Sequence, residues 1–337
     1  MSAFIQGTGS ISPQQLDFDA PDWGLQPGDP FHRICREPDY RDLIPPMQLR
    51  RMTKVVRIGV AAAKAALRDA GLERPDLITT GTAYGCLADT ELFLGKLLTQ
   101  DESMLTPTAF IQSTHNTVSG QIALMTACHG HNFTYVHRGH SFEAALQEAL
   151  LWSAEQPELN ILTGGIDELT PHAVSIIRRF GTYADPQRSA ETQRGAAAGE
   201  GAGIMILSGQ KKATSLAEIV DVELCIPGAV EPQLQAFLQR HGVQPGDIGL
   251  FLNGLSGDPQ YDEPVQAQLH TLAEVPQMAY KAWCGEYPTA GSFAVVLAAL
   301  MLNKQQVPGY AGLAPQTILV HQHYKNDYHS FTLLRRA

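Results

Sequence analysis

A thiol, several histidines and one lysine–carboxylate pair are the groups in this chain with chemistry to offer. Cys128 stands in Thr126-Ala127-Cys128, and a thiolate is a strong nucleophile where its surroundings stabilise it. It falls at the C-terminal end of the helix expected from Asn116, where the helix dipole raises a thiol pKa instead of lowering it. A buried structural thiol is the expected role. His129, His131, His137 and His140 invite a metal reading. On the expected strand, however, His131 and His137 lie ~20 Å apart. No nearby carboxylate completes a set, so no metal centre is expected. His321, His323 and His329 are treated in the same way; His321 and His323 share a strand face and fit surface positions. Asn253, in Asn253-Gly254-Leu255, can hydrogen-bond but cannot take or give a proton at neutral pH. Lys281 is either a solvated lysine or the partner of Glu286 in an internal ion pair.

Strands and helices that alternate almost throughout position these groups, which predicts an α/β layered fold. Phe4-Ile5 opens a short strand that runs into Gly7-Thr8-Gly9. Residues 13–47 are irregular and rich in Pro and Asp. Thr53 caps a helix through Ala70, closed by Gly71, with an Ala-rich face over 59–66 for close packing. Leu77 to Tyr84 reads as a buried strand and Ala88 to Leu98 as a helix. Asn116 to Ala127 is a second helix, with Val118, Ile122 and Met125 on one stripe and Gly120 allowing tight packing. His131 to Val136 is a strand that turns at Gly139, a tight-turn position suited to positive φ. It leads into an amphipathic helix, Phe142 to Trp152, capped by Ser141. Leu159–Thr163 and Gly201–Leu207 are strands. After residue 210 the pattern restarts: strand 216–225, helix 231–239, strand 248–252, helix 263–272, short strand 277–280, helix 288–302, and a closing hairpin of 318–322 with 330–334. Two series of similar order, 1–210 and 211–337, suggest internal duplication.

Composition narrows the classes of function. With 337 residues, 44% of them hydrophobic, the chain can bury a large core. A formal net charge of −10 with no offsetting basic tract argues against nucleic acid. The dense basic patch Arg50, Arg51, Lys54 and Arg57 reads as a solvated helix face. Five scattered cysteines, never paired as C-x-x-C, indicate free thiols in a reducing compartment. The N-terminus has no basic region followed by an apolar run. The longest apolar stretch, 293–302, is about half a membrane span. A cytoplasmic protein is expected.

Five segments in order carry a resemblance to a known family. These are Asn116-Thr117-Val118-Ser119-Gly120; Gly130 followed by a strand and a sharp turn into a helix; Gly164-Gly165 with Asp167; Gly199-Glu200-Gly201-Ala202-Gly203; and Lys281, Gly285 and Thr289-Ala290-Gly291-Ser292. Together they resemble β-ketoacyl synthases of the thiolase-like superfamily. The resemblance implies a layered αβαβα fold of two related halves. It also puts the family's cysteine nucleophile at or beside Gly139, its first catalytic histidine at Asn253 and its second at Glu286, with Lys281 retained. Glycine offers no nucleophile, and a carboxylate at 286 would repel an oxyanion or enolate. The family's Gly-Phe-Gly-Gly gate is replaced around Tyr324-Lys325-Asn326-Asp327.

Loss of all three groups is similar to chain length factors, the inactive partners of ketosynthases. Leu43-Ile44-Pro45-Pro46-Met47-Gln48-Leu49-Arg50-Arg51-Met52 and Gly285-Glu286-Tyr287-Pro288-Thr289-Ala290 point to the aryl polyene type. The resemblance implies a heterodimer with an active β-ketoacyl synthase, acyl carrier protein engaged through the complex, and no cofactor. It makes Gln112, Ser113, Thr114, His115, Asn116 and Thr117 candidates to wall the partner's acyl tunnel, the alternative being a loop that satisfies its own helix cap. An active acyltransferase or condensing enzyme using Cys128 remains the other reading, and a homodimeric binding module a third.

Overall fold

The computed structural model describes residues 2–26, 28–103, 107–189, 193–228, 230–325 and 327–337; Asn326 of the gate segment lies outside them. The N-terminal half contains β1 (Ala3–Ile11), β2 (His32–Arg33), α1 (Pro46–Leu49), α2 (Lys54–Asp69), β3 (Leu77–Gly81), α3 (Leu87–Thr99), α4 (Pro107–Gln112), α5 (Thr117–Thr126), β4 (Asn132–Tyr135), α6 (Ser141–Glu155), β5 (Ile161–Asp167), α7 (Pro171–Arg179), β6 (Ala198–Gly199) and β7 (Gly201–Ser208). The C-terminal half contains β8 (Ala217–Cys225), α8 (Val230–Arg240), β9 (Leu250–Asn253), α9 (Pro259–Gln268), β10 (Gln277–Ala279), α10 (Lys281–Cys284), α11 (Gly291–Lys304), β11 (Thr317–Tyr324) and β12 (Tyr328–Arg336).

Strand order is β10-β9-β11-β12-β8-β1-β7-β5-β3-β4. The two halves repeat one plan about the β1–β8 junction. In each, the first strand pairs antiparallel with the last, the last antiparallel with the fourth, and the fourth, second and third run parallel. The strands of the two halves pair through a short ladder, Ala3–Ile5 of β1 against Ala217–Ile219 of β8, which joins them into one ten-stranded sheet.

Helices α6 and α11 fill the space between the strands of the two halves, and each contacts strands of both halves. That placement explains α11, which is apolar all round: the described side chains from Phe293 to Leu302 are buried with the exception of Leu300, which is partly so. A helix covered on both faces has no polar side to show. α2 closes the outer face of the N-terminal half. An added Cβ at Gly9 would stand 2.1 Å from Ala62 O, so the Gly-rich β1 lets the Ala-rich helix lie almost on its backbone. α8 and α9 pack on the outer face of the C-terminal half. The result is the αβαβα layering.

Some local expectations fail for tertiary reasons. Thr53 sits at the α2 N-cap, but its hydroxyl binds Asp89 Oδ2 at 2.7 Å instead of the helix. Lys54 is not a solvated face residue; its Nζ lies 2.6 Å from the buried Glu200 carboxylate. Gly120 packs against nothing, since an added Cβ there meets no atom within 4 Å. Two segments with no expected element form helices, α4 and α7. Among the described residues no helix is long and apolar enough to cross a membrane.

Candidate functional site

The corner between β4 and α6 is built by backbone strain and a hydroxyl. Arg138, at φ +50°, carries the left-handed turn, and Gly139 does not, contrary to the expectation that glycine is there for positive φ. Ser141 Oγ accepts from His137 N at 2.9 Å and donates to Arg138 O at 2.8 Å, while α6 itself starts at Ser141. Gly139 is glycine for want of space. A Cβ there would stand 2.7 Å from both Tyr324 Cβ and Tyr328 Cβ. The tip of the β11–β12 hairpin thus presses onto the corner. Tyr324 OH is pinned by Tyr84 OH at 3.0 Å. His140 Nε2 lies 2.9 Å from His329 O, and its ring meets Tyr328 edge-on at 5.1 Å. Arg138 is exposed, with Nη1 3.4 Å from Tyr328 OH.

Behind the hairpin lies a buried ionisable cluster. Lys281 Nζ is 2.8 Å from Glu286 Oε2 and also donates to His323 O. Both side chains are almost fully buried, which settles Lys281 as an ion-pair partner and not a solvated lysine. Burial pushes the Glu286 carboxyl up, and Lys281 opposes the shift. Glu143, in the first turn of α6, is pushed up to about 8 by burial. Its Oε1 faces Gly291, where an added Cβ would stand 2.6 Å away, so the first turns of α6 and α11 meet here. His321, His323 and His329 are buried, not surface residues, because their sheet face is the one covered by α8 and α9, with His321 stacked on Phe251 and Phe331. Their rings stack, with His321 Nε2 3.2 Å from His329 Nδ1. His323 Nε2 lies 3.4 Å from Asp262 Oδ1. Burial lowers the His321 pKa well below its ordinary value.

Asn253 ends β9 and turns away from this cluster. Its Nδ2 donates to Gln277 Oε1 at 3.2 Å. The fold therefore joins Lys281 with Glu286 and presses the hairpin between them and Gly139, but leaves Asn253 bonded elsewhere. Cys128 follows the left-handed C-cap Ala127, and burial raises its thiol pKa. Its Sγ sits 3.6 Å from Asp76 O. A protonated thiol at a helix C-terminus is a poor nucleophile.

The run Gln112 to Thr117 is a surface connection between α4 and α5, not a buried loop: His115 and Asn116 are exposed and the others half-buried. Its hydroxyls are satisfied locally. Ser113 Oγ donates to Phe110 O at 2.8 Å, and Thr114 and Thr117 both donate to Ile111 O at 2.9 Å. Gln112 Nε2 reaches Arg51 O at 3.4 Å. Asn116 makes no side-chain cap. Next to this run, β4 is the last strand of the sheet and pairs only with β3 among the described residues. Phe133 and Val136 on and after it are 47% and 50% exposed. Leu92, Leu98, Phe110, Ile111 and Leu124, on the helices preceding β4, are exposed as well.

Sequence reasoning missed Arg138, Glu143, Asp262, Tyr324 and Tyr328 as parts of one site. A signal was present for Glu143, a lone carboxylate opening an apolar helix. Tyr324 was marked only as part of the segment replacing the family's gate, and nothing marked Tyr328 or joined either tyrosine to Gly139, because the hairpin lies far along the chain.

Residues 23–179 match a family model described as beta-ketoacyl synthase, N-terminal domain. No curated protein matches the sequence. The fold is similar to the ishigamide ketosynthase/chain length factor, with a TM-score of 0.78 at 20% identity over 100% of this chain and 99% of that one. It is similar to a beta-ketoacyl synthase from Burkholderia phymatum, with a TM-score of 0.77 at 17% identity over 99% of each chain. It also resembles a ketosynthase in complex with its chain length factor from Xenorhabdus doucetiae, with a TM-score of 0.74 at 15% identity over 100% of this chain and 98% of that one. The chain therefore has a thiolase-like ketosynthase fold from end to end, and residues 23–179 are similar to the beta-ketoacyl synthase N-terminal domain.

Proposed function

We propose that this protein is a non-catalytic ketosynthase-like subunit, a chain length factor, that pairs with an active β-ketoacyl synthase in polyene or polyketide assembly. One observation carries the reading: the nucleophile corner holds no side chain that could attack, and the Tyr324–Tyr328 hairpin occupies the room that a substrate would need. Gly139, Asn253 and Glu286 are then the degenerate catalytic positions, and Lys281 survives as the counter-ion that keeps Glu286 buried. Fold alone does not give function, so the weight rests on this filled corner. The Cys128 alternative is disfavoured by the burial and helix-end position of its thiol.

The unpaired β4 edge with its apolar side chains supports pairing, because an exposed strand edge of this kind is normally covered. A ketosynthase presenting its own equivalent strand would extend the sheet through a two-fold-like contact. Gln112 to Thr117 would line that contact. Their hydroxyls are already used within the loop, so they would shape a tunnel wall by volume more than by hydrogen bonds. Two of the similar structures are of a ketosynthase with a chain length factor, and another is of a type II acyl-carrier protein in complex with its ketosynthase. By extension the carrier protein would reach this chain through the complex. An aryl polyene product and a cytoplasmic location belong to the same proposal. So does the division at residues 210 and 211, supported by the repeated strand order.

Co-expression with ketosynthases that keep Cys-His-His, followed by size-exclusion chromatography and intact-mass analysis with acyl carrier protein thioesters, tests the proposal. The expected result is a heterodimer acylated only on the partner. A stoichiometric acyl adduct on this chain, or a stable monomer that ignores every ketosynthase offered, would overturn it.

A further inference from the structure

Beside the end of β1, between α2 and α11, a cavity of about 490 Å³ opens. It lies away from the β4 edge and the plugged corner, and the pairing role does not use it. Its volume is in the range of small-molecule sites, roughly 300–1,000 Å³. The apolar part of its wall comes from Leu16 and Phe18 of the N-terminal segment and from Leu297 and Leu300 of α11. Two polar features stand out against that wall. The Ser10 hydroxyl is buried and has no hydrogen-bond partner among the described residues. Arg36 lines the cavity and has no ion-pair partner among the described residues, in contrast to the two carboxylates beside it. Asp69 is occupied by Thr8, whose backbone N donates to it at 2.8 Å. Glu37 is turned into Arg57, 2.9 Å away, and accepts from Tyr40.

We propose that this cavity binds an anionic amphiphile, a medium-chain carboxylate whose head group pairs with Arg36 and Ser10 and whose tail lies on α11. An uncompensated guanidinium is the group that recognises a carboxylate by paired N–H donors. The unused hydroxyl supplies a further donor. A tail covering Leu297 and Leu300 removes apolar surface from water at about 25 cal/mol per Å². The site rests on these side chains alone and does not depend on the chain length factor reading.

A photoreactive decanoate tests it on the full-length chain, in complex with a ketosynthase where it is isolated that way. The expected result is saturable labelling of this chain within residues 8–18 and 293–300. Decanol should compete at least about tenfold less well than decanoate, and Arg36→Gln should weaken labelling by a similar factor, the scale of one charge-assisted pair. Ala65→Met, which extends a side chain from α2 into the same cavity, should abolish it. Labelling confined to other segments, equal competition by decanol, or no saturable labelling at all would overturn the proposal. The first two results need no variant, so a misfolded Ala65→Met protein leaves the test intact.

Discussion

The segments β4–α6 and β10–α11 hold equivalent places in the two halves, the third strand of the large sheet and the long helix after it, yet they meet their surroundings in opposite ways. β4 is exposed along its outer edge, with Phe133 and Val136 half in water. β10, at the far end of the same sheet, is only three residues long and part-buried, and its Gln277 carbonyl accepts from Tyr310 OH. The corner after β4 is emptied of a nucleophile and covered by tyrosines. The corner after β10 is filled by charge, the Lys281–Glu286 pair. Duplication fixes where an edge and a corner must fall. Side chains then decide which edge is left for a partner and how each corner is closed. On the proposed pairing, the open, apolar β4 edge and not the short, covered β10 edge is the surface left for the partner.

The largest effect that would break this contrast is on association. Phe133→Asp combined with Val136→Asp should weaken the ketosynthase complex by at least about 100-fold, because both charges would be desolvated at the contact. Gln277→Asp on β10 should leave it unchanged. Sedimentation or native mass spectrometry of both variants reads the difference, and equal loss from the two edges would abolish the distinction.

The next effect concerns the meeting of the two corners, where Glu143 of α6 faces Gly291 of α11. The Glu143 carboxyl is raised from an ordinary 4.5 to about 8 by burial. A raised carboxyl contributes stability that is whole below the unfolded value and is lost as pH rises through the folded one. Wild type should therefore lose up to a few kcal/mol between about pH 4.5 and 8 relative to Glu143→Gln, a buried carboxyl giving up at most about 1.4 kcal/mol for each pH step of one across that window. His321, lowered by burial, works the other way below its ordinary value near 6.5, and acts equally in both proteins. Thermal unfolding of the pair across this window checks the prediction, and a constant gap between the two curves would count against a buried, protonated Glu143.

A smaller effect is expected at the emptied corner. Gly139→Cys puts a Cβ 2.7 Å from the tyrosine Cβ atoms of the hairpin. Overpacking of this kind costs about 1–3 kcal/mol, so the melting temperature should drop. Condensation should stay absent, since Asn253 bonds Gln277 and Glu286 is held by Lys281. Activity near that of an ordinary ketosynthase in this single variant would show that positions 253 and 286 still support the chemistry.

Much of this molecule is legible in its sequence. The strands at 217–225 and 201–208, the helix from Thr53, the restart after residue 210 and the Gly199–Gly203 run all follow from period, caps and small residues. These are local signals, set within a few residues of chain. What sequence alone decided is that glycine at 139 offers no nucleophile and asparagine at 253 no proton transfer, because residue type is enough to rule that chemistry out. Only the tertiary structure decided what replaced it. Arg138 carries the positive φ of the corner, and position 139 has no room for a side chain because the Tyr324–Tyr328 hairpin lies against it. His321 and His323 became core residues because α8 and α9 cover the face of β11 that carries them. Gly120, which a helix pattern marks for tight packing, faces open space because no neighbour reaches it. Each of these outcomes depends on which distant segment comes to rest on a given surface, and no local period records that.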